Sequence, residues 1–192
     1  MKKLIAIFIL CGTLKSNSQT LLEVAKVLSG NKDENSKTEQ KIVYKNVLNE
    51  VFTINSSSNE AFKRGNARQA IKIKLPYGTI KWYYRITPFD VRGNYSYKEN
   101  EELFSLLSND NPLFVNSQIS KGLDFYIIND YAEEDFYAKR RFENYSDFTK
   151  QKTNGFYGES NLVYNNLMIC LINPNLKDGL KVIVEVVAYG NF

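Results

Sequence analysis

Two stretches of patterned apolar residues constrain the fold of this chain more than any other feature. Residues 71–87 alternate between apolar and polar side chains except at residues 76–79, which have the composition of a turn, and residues 180–188 carry an aliphatic side chain at every second position. A period of two is typical of β-strands that bury one face. The first stretch therefore predicts an antiparallel hairpin with one buried face and one solvated face. The residues expected on the buried face of its second strand are Ile80, Trp82, Tyr84 and Ile86.

An unbroken apolar run precedes the second stretch. Leu167–Ile172 contains no charged or amide side chain, as expected of a strand that is covered on both faces. Residues 173–179 then have the composition of a plain turn. Hairpins of this kind, separated by long loops, predict a mainly β fold, an antiparallel β-sandwich of jelly-roll-like type with a short N-terminal helix and one or two short helices in insertions.

Other segments give weaker patterns. Residues 42–54 fit both helical spacing and alternation, and we favour a strand that ends at Ile54. Residues 101–107 predict a short amphipathic helix, and residues 123–127 predict a further strand. Residues 130–142 are charged and predict one exposed helix. A long polar connection is expected after that helix, at residues 143–160.

The first eighteen residues have the organisation of a cleavable signal peptide. Lys2 and Lys3 give a positive start, residues 4–10 form an apolar run, and Ser18 ends a cleavage site of small residues. The apolar run is too short to span a bilayer. We therefore expect an exported protein that is periplasmic, extracellular or held at the cell surface.

The leader sets the predicted domain organisation. The three parts are a signal peptide at 1–18, a short helix and polar linker at 19–41, and a β-sandwich domain at 42–192. A lipoprotein anchored through Cys11 is the alternative. Leu10 and Phe8 argue against it, because a lipoprotein signal has a small residue directly before the cysteine and commonly a leucine three residues before it.

Removal of the leader also restricts the kinds of partner, disulfide and catalytic site that the sequence allows. Three lysines leave with it, so that 22 basic residues remain against 21 acidic residues and the net charge falls from +4 to +1. This balance gives no electrostatic reason to bind nucleic acid or an anionic membrane. Cys170 then stands alone, which excludes an intramolecular disulfide. The chain has no histidine, which excludes Ser-His-Asp and Cys-His catalysis and the usual zinc sites. No cofactor and no metal site is predicted.

Tyrosines in predicted loops are the main functional signal. The chain has 13 Tyr and 12 Phe residues, and exposed tyrosines suit the recognition of a protein or a glycan because each ring has an apolar body and a polar tip. Packing against the sandwich is the alternative explanation. The candidate binding residues are Tyr77, Tyr95, Tyr97, Tyr145, Tyr157 and Arg92. On this basis we predict a non-enzymatic binding module.

Two alternatives to a binding module remain open. The cluster Glu133, Glu134 and Asp135, with Asp124 as a second carboxylate, would suit a glycosidase-like hydrolase. Arg140 and Arg141 follow this cluster, however, and acids followed by bases are typical of a solvated helix. A structural or assembly subunit is the other alternative, and exposed sheet edges would be its sign.

The segments LPYGTIKWYYRITPFD and LMICLINPNLKDGLKVIVEVVAYG resemble the ends of GOLD-type β-sandwich domains, a likeness that covers residues 68–90 and 167–189. In those domains an early strand carries a tryptophan followed by alternating aromatic residues, and a late strand ends in a turn with asparagine before a final valine-rich strand. The resemblance implies a non-enzymatic module that binds cargo or a partner protein. It transfers no catalytic residue to this chain.

Overall fold

A computed structural model describes residues 41–91, 101–115 and 122–192. Eight strands in this part of the chain form two antiparallel sheets of four strands each, which confirms the predicted mainly β sandwich. The strands are β1 Val43–Ile54, β2 Arg68–Lys72, β3 Thr79–Asp90, β4 Leu123–Asn129, β5 Lys150–Thr153, β6 Phe156–Ser160, β7 Leu167–Ile172 and β8 Leu180–Gly190. The predicted N-terminal helix and the predicted signal peptide lie outside the described residues.

Short helices connect the strands. The α-helices are α1 Ser57–Ala61, α2 Leu103–Ser108 and α3 Glu133–Tyr137, and two 3-10 turns occupy Asp130–Ala132 and Ser146–Phe148. Helix α2 confirms the amphipathic helix expected near residues 101–107. Helix α1 lies in a region where only a loop was expected, and Ser56 caps it by accepting a hydrogen bond from the Asn59 N–H at 3.3 Å.

Sheet A has the strand order β1-β8-β3-β6, and sheet B has the order β2-β7-β4-β5. Their inner faces enclose one apolar core to which both predicted β stretches contribute, including Ile71, Trp82, Tyr84 and Val184. The Trp82 indole N–H donates to the Leu162 carbonyl at 2.7 Å, which satisfies the polar atom of this fully buried ring.

The predicted hairpin at residues 71–87 is wrong, because its two strands belong to different sheets. Strand β2 pairs with β7 in sheet B, and β3 pairs with β8 and β6 in sheet A. The expected turn at residues 76–79 is present, with the Thr79 N–H bonded to the Pro76 carbonyl, but it passes from one sheet to the other. Each strand buries the apolar residues that the pattern predicts, but in the core between the two sheets. Alternation alone therefore does not distinguish a hairpin from a crossover.

Strand β1 confirms the strand favoured at residues 42–54, and its geometry explains the mixed pattern there. The pairing of β1 with β8 shifts register between Asn46 and Leu48. Tyr44 pairs with Tyr189 before this bulge, and Leu48 pairs with Val186 after it. Because one extra residue reverses the side-chain parity, the even-numbered positions change from the outer face of the sheet to the core face.

The outer face of β3 was expected to be solvated, but part of it is buried. Arg85 and Thr87 are only 2% and 1% exposed, since the segment that contains α2 covers this part of sheet A. Leu103 and Leu107 of α2 pack with Val187 of β8. The Arg85 guanidinium pairs with the Glu185 carboxylate, with Nε to Oε2 at 2.6 Å and Nη2 to Oε1 at 2.9 Å.

The outer face of β7 is covered too, as predicted from its apolar run. Met168 and Cys170 of β7 pack with Ile128 and with Phe136 of α3. The single exposed helix expected at residues 130–142 is therefore wrong: α3 ends at Tyr137, Lys139 has a φ of 59°, and Phe136 is fully buried. Residues six apart face different sides of one helix, so the chain must reverse for both Phe136 and Phe142 to reach sheet B.

The polar connection expected at residues 143–160 is also corrected. It contains two edge strands, with β5 pairing with β4 in sheet B and β6 pairing with β3 in sheet A. The sequence of β5, Lys-Gln-Lys-Thr, is polar, and a lysine-rich edge strand resists pairing with other chains.

None of the helices in the described residues has the length and hydrophobicity of a membrane-spanning segment.

We expect removal of one partner of the buried ion pair to destabilise the protein strongly. Replacing Glu185 by Gln leaves the Arg85 charge uncompensated in the interior, which should lower the free energy of unfolding by about 3 to 5 kcal/mol. Glu159→Gln is the matched control, because the Lys81–Glu159 pair lies on the same sheet but is solvated, and its loss should cost under about 1 kcal/mol. Urea denaturation of both variants measures the difference, and equal losses would contradict this account.

Candidate functional site

Three of the predicted binding residues lie in the described part of the chain, and they lie at three separate places. Tyr77 is fully exposed on the turn between β2 and β3. Tyr157 is half-exposed on edge strand β6, opposite Arg85 of β3 in the strand register. Tyr145 is half-buried beside the end of β4. Arg92, Tyr95 and Tyr97 lie outside the described residues.

A groove beside Tyr145 is the strongest candidate site. It consists of two adjoining cavities of about 820 Å³ and 210 Å³ that share Tyr131, Glu143 and Asn144 in their walls. The larger volume falls within the range of sites for small molecules. The remaining lining residues are Asn129, Ala132, Asp135, Arg141, Phe142, Tyr145 and Ser146.

The walls of the groove are two segments held on sheet B by aromatic packing and backbone hydrogen bonds. Phe142 contacts Tyr126 and Phe136 edge to face, with ring centroids 5.2 and 5.5 Å apart. The Tyr145 N–H donates to the Ile127 carbonyl of β4 at 2.9 Å. On the other wall, the Asp130 N–H donates to the Asn166 carbonyl at 2.9 Å. These contacts make the groove part of the folded sandwich.

A chain of hydrogen bonds crosses the groove. The Tyr145 hydroxyl donates to Asn129 Oδ1 at 3.2 Å, and the Asn129 NH₂ group donates to the Tyr131 hydroxyl at 3.4 Å. The Tyr131 hydroxyl in turn donates to the Glu143 carboxylate at 3.0 Å. Such a chain orients the donors and acceptors that it connects.

The charged groups of the groove differ in how they are engaged. Arg140 holds Asp135 through Nε at 2.6 Å and Glu134 through Nη2 at 2.9 Å. The neighbouring Arg141 lines the groove and forms no ion pair with a described residue. Glu143 accepts from the neutral Tyr131 hydroxyl. The groove therefore contains both a guanidinium, from Arg141, and a carboxylate, from Glu143, that can form hydrogen bonds in one open site.

Aromatic surface accompanies these polar groups. The Tyr131 side chain is 64% exposed although its hydroxyl is bonded, so its ring is available for stacking. Tyr145 stacks with the half-exposed Tyr164, with ring centroids 6.5 Å apart and planes 19° apart. Rings of this kind offer a flat apolar face next to hydrogen-bonding groups.

Sequence reasoning identified Tyr145 but missed Tyr131, Asn129 and Glu143. Tyr131 was assigned to an exposed helix, and its actual position in a 3-10 turn follows from burial of Phe136 against the sheet. The combination of tyrosine, asparagine and glutamate at residues 143–145 was the available signal, because these side chains hydrogen-bond readily and lie in a polar stretch.

The predicted acidic candidates are distributed over the surface of sheet B. Asp135 lines the groove, Glu134 pairs with Arg140, and Asp124 accepts from the Lys152 N–H at 2.9 Å at the start of β4, the end away from Asn129. Within the described ranges there is no group of three or more Cys, Asp or Glu side chains placed to hold a metal ion.

Comparison of the chain with models of protein families, with curated proteins and with solved structures found no match.

Cys170 should be inert as a nucleophile. It lies fully buried on β7, and burial, together with the negative charge of Glu133, raises the pKa of its thiol well above the ordinary value. In a Cys11→Ser variant, Ellman's reagent should find no reactive thiol in the native protein and one thiol per chain after unfolding in guanidinium. A native thiol that reacts within minutes would contradict the burial of this side chain.

Proposed function

We propose that this protein is an exported, non-enzymatic binding module that recognises a glycan in the groove beside sheet B. The observation that carries the proposal is the combination of a 64% exposed Tyr131 ring with oriented amide, carboxylate and guanidinium groups in one open cavity of about 820 Å³. A sugar presents an apolar ring face and several hydroxyl groups, and this lining is complementary to both. The N-terminal leader supports export.

A glycan fits this groove better than a protein surface does. Stable protein interfaces bury about 800 Å² on each partner and are built around apolar centres. The groove instead has polar groups along both walls, including Asn129, Glu143 and Asn144. The Thr149 hydroxyl donates to Asn144 Oδ1 at 2.9 Å, which leaves the NH₂ group of that amide to donate elsewhere. Pre-positioned donors and acceptors discriminate among hydroxyl patterns.

Binding should depend on the Tyr131 ring. A glycan array probed with the exported chain identifies a ligand, and calorimetry then compares variants against it. Tyr131→Ala removes both the stacking surface and one link of the hydrogen-bond chain, so affinity should fall about tenfold or more. Tyr77→Ala is the matched control, because Tyr77 is an exposed loop tyrosine that does not line the groove, and the affinity of this variant should be unchanged.

Absence of any glycan ligand on the array, or equal losses in the Tyr131→Ala and Tyr77→Ala variants, would overturn the proposal. Tyr131→Phe adds detail, since it keeps the ring and removes the hydroxyl that bonds to Asn129 and Glu143. A smaller loss than in Tyr131→Ala separates stacking from hydrogen bonding.

A carboxylate-dependent hydrolase is the second candidate, and one observation favours it: Asp135 and Glu143 line the same cavity. Both are engaged already, Asp135 by Arg140 and Glu143 by Tyr131, which suits positioning better than acid–base chemistry. Incubation with the bound glycan distinguishes the two functions. New reducing ends that disappear in Glu143→Gln, while binding persists, would establish the hydrolase in place of the binding module.

A further inference from the structure

Large apolar side chains are exposed at the end of the sandwich where β1 and β7 finish and β8 begins. Phe62, in the loop after α1, is 72% exposed, and Leu176, in the loop between β7 and β8, is 63% exposed. Val91 is 41% exposed, and it lies beside the second loop, since a Cβ added at Gly179 would be 3.4 Å from its Cγ2 atom. We call Phe62, Leu176 and Val91 the apolar tip.

The two loops of the apolar tip are bound to each other. The Ser57 N–H donates to the Asn175 carbonyl at 2.9 Å, and the Ser58 N–H donates to the Leu176 carbonyl at 3.2 Å. The Phe62 N–H donates to the Ser58 carbonyl at 3.1 Å. Two successive backbone hydrogen bonds through Ser58 therefore connect Phe62 with Leu176, which places both side chains at one end of the molecule.

Each loop is also braced internally, so the exposure of the tip is a property of the folded state. The buried Asn173 side chain donates to the carbonyls of Asn55 and Asp178 at 3.1 and 2.8 Å. The Asn55 N–H donates to the Asn66 carbonyl at 3.0 Å. The turn between them needs Gly65, whose φ is 117° and where a Cβ would overlap the Asn55 side chain.

Cationic side chains flank the apolar tip. Lys63 and Arg64 follow Phe62, and Lys177 follows Leu176. The Arg64 guanidinium lies 5.9 Å from the centre of the Phe62 ring. The acid of the first loop, Glu60, is paired with Lys139. The other acids at this end, Asp90 and Asp178, have interaction partners of their own. A near-neutral net charge for the whole domain therefore coexists with cations directly beside the exposed apolar residues.

We propose that the apolar tip inserts into the interfacial region of an anionic lipid bilayer. Phe62, Leu176 and Val91 would enter the boundary between headgroups and acyl chains, and Lys63, Arg64 and Lys177 would face the phosphate layer. Exposed loop ends with few apolar residues suit this shallow insertion, whereas a stable protein interface needs a broader surface. The proposal is independent of the glycan groove.

Two tryptophan reporters at opposite ends of the sandwich test this proposal in the full chain. Phe62→Trp places an indole in the apolar tip, and Tyr77→Trp places one on the turn at the other end. The native Trp82 is fully buried and gives the same background in both variants, and both share the same N-terminal region. Vesicles of phosphatidylglycerol and brominated phosphatidylcholine should quench and blue-shift the emission of Phe62→Trp and leave Tyr77→Trp unchanged.

A Phe62→Ser, Leu176→Ser double variant should cosediment with these vesicles about tenfold less than the parent chain, because two apolar side chains lose their burial in the lipid. Vesicles of phosphatidylcholine alone should bind more weakly than the anionic ones. Equal quenching of both reporters, no quenching of Phe62→Trp, or unchanged cosedimentation of the double variant would overturn the proposal. The tip would then be assigned to a protein partner.

Discussion

The outer layer of this sandwich on sheet A depends on one buried ion pair. Arg85 and Glu185 lie on adjacent central strands, and their remaining hydrogen-bonding capacity goes to the segment that carries α2. The Leu103 N–H donates to Glu185 Oε1 at 2.8 Å, and Arg85 Nη2 donates to the Glu101 carbonyl at 2.6 Å. A buried charge is tolerated only when it is paired and fully hydrogen-bonded. The pair therefore specifies where the covering segment lies.

Sheet B is covered by a different interaction. Phe136 and Phe142 pack on its outer face, and Arg68 joins this layer to β2 by donating to the Phe136 carbonyl at 2.8 Å. Aromatic packing is less directional than an ion pair, and the groove with Tyr131 and Glu143 forms at the margin of this layer. The hydrogen-bonding groups of the groove are thus carried by short turns on a sheet, and functional residues are often found on loops that a scaffold positions.

The sequence predicted the core strands because alternation reports directly on burial, as for Trp82 and Tyr84, but it missed the edge strands β5 and β6. It did not predict which sheet each strand joins, since strands on opposite sides of one core share the same pattern. It also placed Arg85 in solvent, because its partner Glu185 is one hundred residues away and alternation treats every polar residue alike. Tyr145 was identified as a loop tyrosine, but the groove around it depends on the chain reversal at Lys139, which no local pattern reports.

Between β2 and β3 the chain crosses from sheet B to sheet A, and such crossings recur along most of the described chain. Strands of the two sheets follow one another in sequence at every connection except that between β4 and β5. Neither sheet is therefore encoded by a contiguous half of the sequence, and neither can assemble from a fragment. Such an interlaced order makes folding slow, because strands far apart in sequence must pair, and almost the whole described chain must be present before either sheet is complete.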